Sequence, residues 1–258
     1  MLNYPLKQIP ERSQKPRQNG LTMAMDKGLS LREVEDFLEV SAGFVDIVKL
    51  GWGTSAITPN LKAKLDLYRK HKMPTYFGGT LMELFYVRGQ IDDYRHILEE
   101  YEMEYLEISS GSVDIALDEK CELISSFAKD FTVLSEVGSK TDGKIIAPYQ
   151  WVDMMQRELD AGAWKVIAEA RESGTVGMFR SDGEIRSDLI EEILHDIPGD
   201  RILWEAPQKS QQVWFIKLLG SNVNLGNIPP KEALPLETLR LGLRGDTFFT
   251  FLDEKEQA

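Results

Sequence analysis

Thr132-Val133-Leu134-Ser135-Glu136-Val137-Gly138-Ser139-Lys140 is the stretch whose reading decides the fold. It opens as an apolar, β-branched run bounded by turn residues, the pattern of a strand buried on both faces of a parallel sheet. It closes on a carboxylate, a glycine turn and an amine. Ionisable groups at the C-terminal exit of such a strand lie where α/β proteins hold ligands.

Seven further stretches carry the same pattern: Leu21–Gly28, Val45–Gly53, Pro74–Gly79, Tyr105–Gly111, Lys165–Glu172, Arg201–Pro207 and Ser221–Ile228, with Thr132–Gly138 as the fifth of eight. Helical spacing separates them. It runs from a Ser30 cap, with Glu33 in capping-box position, to about Val40, then over Asn60–His71, Ile91–Tyr101 and Leu117–Lys129. It resumes over Pro148–Gly162, Glu184–Asp196, Ser210–Leu219 and Pro235–Arg244. Strict strand–helix alternation predicts parallel strands joined by right-handed crossovers. Eight such units in 258 residues predict one α/β domain, a single (β/α)8 TIM-type barrel. Residues 1–20 read as a lead-in and 253–258 as a polar tail. The alternative, an open doubly wound sheet, lacks its usual fingerprints: no G-x-G-x-x-G follows the first strand, and no G-x-x-x-x-G-K-[ST] occurs.

A formal charge of -12 argues against nucleic acid or anionic membrane as a partner, since both require clustered basic side chains. No apolar run reaches membrane-spanning length, and the lead-in lacks the apolar stretch of a signal peptide, so a cytoplasmic location is expected. The single cysteine, Cys121, cannot form an internal disulfide, and its neighbours Glu119, Lys120 and Glu122 read as a solvated helix. His71, His96 and His195 fall near helix ends, which leaves acid–base chemistry to Lys and Glu.

In a barrel the C-terminal strand ends meet on one face. The residues delivered there are Asp26 and Lys27, Lys49, Glu107, Glu136 and Lys140, Glu169, Arg171 and Glu172, Glu205, and Asn222, Asn224 and Asn227. Side chains alternate along a strand, so only some of them point inward. Each charge taken alone reads as a salt bridge or a solvated loop residue. Four strand-borne glutamates together demand partners or a cation, because burying an ion costs several kcal/mol. Mg2+ prefers carboxylates and water, with substrate oxygens completing its shell. Glycine-rich exits at Gly51–Ser55, Gly78–Thr80, Ser109–Gly111 and Ser173-Gly174 offer backbone N–H groups and hydroxyls suited to phosphate or sulfonate oxygens.

Eight ordered motifs, KLGWGTS (Lys49–Ser55), FGGTLME (Phe77–Glu83), EISSG (Glu107–Gly111), LSEVGSK (Leu134–Lys140), EARESG (Glu169–Gly174), WEAP (Trp204–Pro207), NVNLGNI (Asn222–Ile228) and LETLRLGLRGDT (Leu236–Thr247), resemble those of the phosphosulfolactate synthase family. The resemblance spans nearly the whole chain. It implies an atypical (β/α)8 barrel and a carbon–sulfur lyase-class enzyme that adds sulfite to phosphoenolpyruvate with Mg2+, giving (2R)-phospho-3-sulfolactate for coenzyme M synthesis or a sulfolactate pool. It further implies a homo-oligomer and Lys140 as the acid that protonates the central carbon. Lys49 and Arg171 are assigned to substrate anions, and Asn222 and Asn224 to phosphate or carboxylate oxygens. Glu107, Glu136, Glu169 and Glu205 are candidates for Mg2+ ligation or for holding the lysines, with Glu136 grouped with Lys140 and the other three with the metal. One departure stands out, Gly220-Ser221-Asn222 where Gly-Pro-Asn is expected.

Two other readings compete. One is a non-enzymatic stress-associated or interaction protein on the same barrel; retention of all the ionisable strand residues speaks against it. The other is a different phosphoenolpyruvate or sugar-phosphate barrel enzyme, such as a Schiff-base aldolase.

Overall fold

The structure, a computed structural model, describes residues 2–138, 146–170, 178 and 185–252. In chain order its main elements are β1 (Thr22–Asp26), α1 (Leu31–Ser41), β2 (Ile47–Leu50), α2 (Leu61–Lys70), β3 (Thr75–Phe77), α3 (Gly79–Tyr86), α4 (Ile91–Glu100), β4 (Tyr105–Ile108) and α5 (Leu117–Phe127). They continue as β5 (Thr132–Val137), α6 (Pro148–Asp160), β6 (Lys165–Ala168), α7 (Ser187–Asp196), β7 (Ile202–Glu205), α8 (Lys209–Leu219), β8 (Leu225–Ile228) and α9 (Ala233–Arg240). The eight strands are parallel and ordered β3-β2-β1-β8-β7-β6-β5-β4, a nearly closed single (β/α)8 barrel, as the alternation predicts.

Helix starts follow local chemistry. Ser30 Oγ accepts from the Glu33 amide while the Glu33 carboxylate accepts from the Ser30 amide, the predicted reciprocal cap of α1. Helix α3 is not among the helices that the spacing predicts, and it starts directly at the glycine-rich exit of β3. The glycine is needed there for close approach: a Cβ on Gly79 would lie 2.3 Å from Ser109 Oγ and 2.8 Å from Glu107 Oε1. Lys120 also departs from its expected solvated setting, being buried against Glu158 at 2.8 Å.

Among the described residues β3 and β4 share no ladder, so the barrel has one seam. Strand β3 is only three residues long and pairs with β2 alone. The seam is bridged at its upper end by the Gly79 amide, which donates to Glu107 Oε1 at 2.7 Å. Lower down, the Phe77 and Tyr101 rings meet edge to face.

The lead-in crosses the opposite end of the barrel. Buried Arg12 pairs with Glu237 at 2.9 Å and donates to the Gly20 and Ser221 carbonyls, and Arg17 pairs with Asp46 at 3.0 Å. Removing one partner of a buried pair strands the other charge. Arg12→Ala is therefore expected to cost about 3–5 kcal/mol in urea unfolding.

Candidate active site at the barrel mouth

The period of two along each strand decides what faces inward. Leu21, Met23, Ile47, Tyr76, Leu134, Ile167 and Leu203 form one apolar layer inside the barrel, with Tyr105 packed against it. Two residues further along their strands stand Lys49, Glu107, Glu136, Glu169 and Glu205, all buried. The ionisable residues therefore share one parity and form the next layer, towards the C-terminal mouth. This is the alternation that the sequence left open.

Lys49 is the hub of that layer. Its ammonium lies 2.8 Å from Glu107 Oε1, 3.3 Å from Glu136 Oε2 and 3.8 Å from Glu205 Oε1. Burial alone would lower its pKa, but Glu107, Glu136 and Glu205 outweigh burial and hold it well above the ordinary value. Lys49 is thus a fixed cation. Burial pushes Glu205 in the other direction, up to about 8; Lys49 opposes the rise and Glu136 adds to it, while Glu205 Oε2 accepts from the Ala170 amide at 2.8 Å. Burial, followed by Glu107, also holds the Tyr76 hydroxyl well above its usual range.

Glycines make room above this layer. A Cβ on Gly138, whose φ is +145°, would meet Glu169 Cβ at 2.7 Å and Trp151 at 3.1 Å. Gly138→Ala should therefore shift Glu169 and cost about 1–3 kcal/mol, a change that a urea titration would read.

On β8 the sequence named Asn222 and Asn224 for substrate oxygens, and the structure corrects both. They precede β8, at the end of the barrel opposite the mouth. Asn222 Oδ1 accepts from Arg12 at 2.6 Å and from the Ser13 amide at 3.0 Å, and its Nδ2 donates to the Glu11 carbonyl. Asn224 Oδ1 accepts from the Leu21 amide at 3.0 Å, and its Nδ2 donates to the Ile202 carbonyl at 2.9 Å. These amides hold backbone, and alternation could not say which end of the strand they occupy. Asn227 is the amide near the mouth. A register shift between β1 and β8, with φ +62° at Asn227, re-aims its side chain so that Nδ2 reaches the Ala170 carbonyl at 3.4 Å. Asp26 also faces away from the lumen, onto Lys64 at 2.9 Å and Tyr68 at 3.0 Å. Lys140 and Arg171 lie outside the described residues.

The expected trio of metal ligands, Glu107, Glu169 and Glu205, is not assembled as a cage. Among the described residues no three His, Cys, Asp or Glu side chains are arranged to hold a metal. The physical reason is Lys49, whose ammonium occupies the position between Glu107 and Glu205. Glu107, Glu136, Glu169 and Glu205 nevertheless bring four buried carboxyl groups into one layer. A hard cation that takes one or two carboxylates and completes its shell with other oxygens fits that chemistry. Glu169 and Glu205, on adjacent strands, are the pair suited to it.

A (β/α)8 barrel that gathers a buried ammonium and carboxylates at the C-terminal ends of its strands has the construction of a barrel enzyme. Comparison with known proteins makes the class specific. The family model described as (2R)-phospho-3-sulfolactate synthase (ComA) matches residues 10–246, and the chain belongs to that family. It is similar to the phosphosulfolactate synthase of Methanothermobacter thermautotrophicus, 45% identical over 244 residues that cover 92% of this chain and 95% of the relative. It is also similar to that of Bacillus subtilis, 40% identical over 246 residues covering 94% and 97%. Among solved structures, 3-hexulose-6-phosphate synthase from Salmonella typhimurium aligns with a TM-score of 0.57 over 87% of this chain and 100% of that one. At 15% identity that likeness is one of fold alone.

Sequence reasoning missed Tyr76, and it named Asn227 and the N–H groups at Gly78–Thr80 without fixing which atoms they meet. An aromatic residue in a strand reads as core, and neither a bulge nor a helix N-terminus behind two glycines shows in a periodicity.

Proposed function

We propose that the protein adds sulfite to phosphoenolpyruvate to give (2R)-phospho-3-sulfolactate, a carbon–sulfur lyase-class reaction run in the synthetic direction. The observation that carries this reading is membership of the synthase family over nearly the full chain. The Lys49 cluster at the mouth supplies chemistry of the right kind.

Sulfite is itself a strong nucleophile, so no Ser, Cys or His need be activated. Its sulfur forms a bond to the methylene carbon, the double-bond pair moves towards the central carbon and its carboxylate, and a proton then adds to the central carbon. The developing charge requires fixed positive groups. Lys49, held charged by Glu107 and Glu136, sets a permanent cation beneath the substrate. Lys140 is the proposed acid and Arg171 a partner for the substrate anions. Bound Mg2+, held by Glu169 and Glu205, would supply Lewis acidity at the substrate carboxylate.

Purified protein given phosphoenolpyruvate, sulfite and Mg2+ is expected to consume both substrates in equal amounts. Lys140→Ala should abolish that turnover with an unchanged circular dichroism spectrum. Absence of consumption with every divalent metal tried would sink the proposal. A homo-oligomer in the cytoplasm is part of the same reading. It is compatible with the acidic net charge and with the absence, among the described residues, of a helix long and apolar enough to cross a membrane. Light scattering of the purified protein tests the assembly.

A further inference from the structure

A second buried ionic group lies behind β5, on the side facing the helices. Lys120 of α5, Glu158 of α6 and Ser135 of β5 are all buried. Lys120 Nζ lies 2.8 Å from Glu158 Oε1, and Ser135 Oγ donates to Glu158 Oε2 at 2.6 Å. The third contact of this group points at the mouth: Lys120 Nζ donates to the backbone carbonyl of Glu136 at 2.7 Å.

That carbonyl sits where the sheet stops supplying partners. The β4–β5 ladder ends at the pair Ile108–Ser135, because the chain leaves β4 at that point. Beyond this last rung the Lys120 ammonium stands in for a strand amide. Glu158 keeps the ammonium in place, and Ser135 ties Glu158 back to the same strand. A pair meant only for stability has no need to reach the main chain of a mouth residue. Apolar residues of similar volume generally serve stability as well as a buried ion pair does.

We infer that Lys120 is a positioning residue: through the Glu136 carbonyl it fixes the exit of β5, and with it the Glu136 carboxylate that lies 3.3 Å from Lys49. Glu158 and Ser135 hold Lys120 in that role. The inference rests on the proposed function for its kinetic readout, but its geometry can be tested without that function.

The experiment pairs Lys120→Met with the double variant Lys120→Met/Glu158→Leu. The single variant strands the Glu158 charge and should lower the melting temperature. The double variant removes both charges and should restore it, since apolar replacements are tolerated where a lone buried charge is not. With stability restored, kcat should stay about 100-fold below wild type and KM for phosphoenolpyruvate should change little, the loss that a misplacement of about 1 Å brings. Recovery of kcat together with stability would show the group to be structural only and overturn the inference. Where the double variant does not fold, Glu158→Gln decides. It removes the counter-charge that keeps the Lys120 ammonium in place, so a 100-fold fall in kcat with little change in KM supports the inference, and wild-type kcat at a lowered melting temperature refutes it. If wild-type protein proves inactive with sulfite and phosphoenolpyruvate, the functional reading fails, and a crystal structure of the double variant becomes the test. Displacement of the Glu136 carboxylate from Lys49 supports positioning; an unchanged 3.3 Å separation rejects it.

Discussion

Lys49→Met is expected to abolish turnover and to make the fold depend on acid. The ammonium lies against Glu107 and Glu136, with Glu205 just beyond, and each of these carboxylates is buried. Methionine fills similar volume without charge, so the carboxylates lose the cation that offsets their burial. Stranding them should cost about 3–5 kcal/mol at neutral pH. They can escape by binding protons, and a carboxylate whose folded pKa is raised stabilises the fold below its unfolded pKa and loses that stabilisation as pH rises. The urea midpoint of the variant should therefore fall more steeply between pH 5 and pH 8 than that of the wild type. A midpoint curve parallel to that of the wild type would refute the hub role. Turnover should fall by about 10²–10³-fold or more, the usual loss when a fixed charge that stabilises a transition state is removed.

The second large effect concerns Glu205, whose folded pKa is pushed up to about 8 from an ordinary 4.5 by burial, with Lys49 opposing and Glu136 reinforcing. Its contribution is fully present below about pH 4.5, declines through the interval up to about 8 and is gone above it. In metal-free protein, Glu205→Gln should remove that decline, because a neutral amide has no proton to lose. At pH 9 the variant should be more stable than the wild type by a few kcal/mol, in line with the roughly 1.4 kcal/mol attached to each pKa unit. At pH 5 the two should nearly coincide. The same substitution should cut turnover by about 100-fold or more, separating stability from function. Mg2+ should raise the melting temperature of the wild type at pH 8 and leave that of Glu205→Gln almost unmoved. Urea midpoints at pH 5, 7 and 9 in chelator, followed by metal titration, read all of this.

The fold was legible because each of the eight units repeats one signal, an apolar run with charge at its exit, and 258 residues suit one closed barrel. The ionisable layer was half legible. Glu107, Glu136, Glu169 and Glu205 stood out as acids inside apolar strands, but which neighbour each would meet depends on strand register, and no local pattern encodes that. The correct partner of Glu107, for example, is Lys49 two strands away across the seam. Asn222 and Asn224 misled because they sit in a strand-like run whose ladder begins only at Leu225. Lys120 misled for a different reason: its acidic neighbours Glu119 and Glu122 face outward on the same helix, and a helix can turn one lysine inward among them.

The bond between the Gly79 amide and Glu107 Oε1 gives the molecule a built-in gauge. That oxygen is also 2.8 Å from Lys49, so one acceptor serves both the barrel seam and the charge cluster. Any event that draws Lys49 away, whether an arriving anion or a proton on Glu107, changes the field felt by a single backbone hydrogen. Its nitrogen-15 resonance should therefore track occupancy of the mouth. Its exchange with deuterated solvent should quicken whenever the seam is unlatched, giving a spectroscopic view of the site that needs no inhibitor and no turnover.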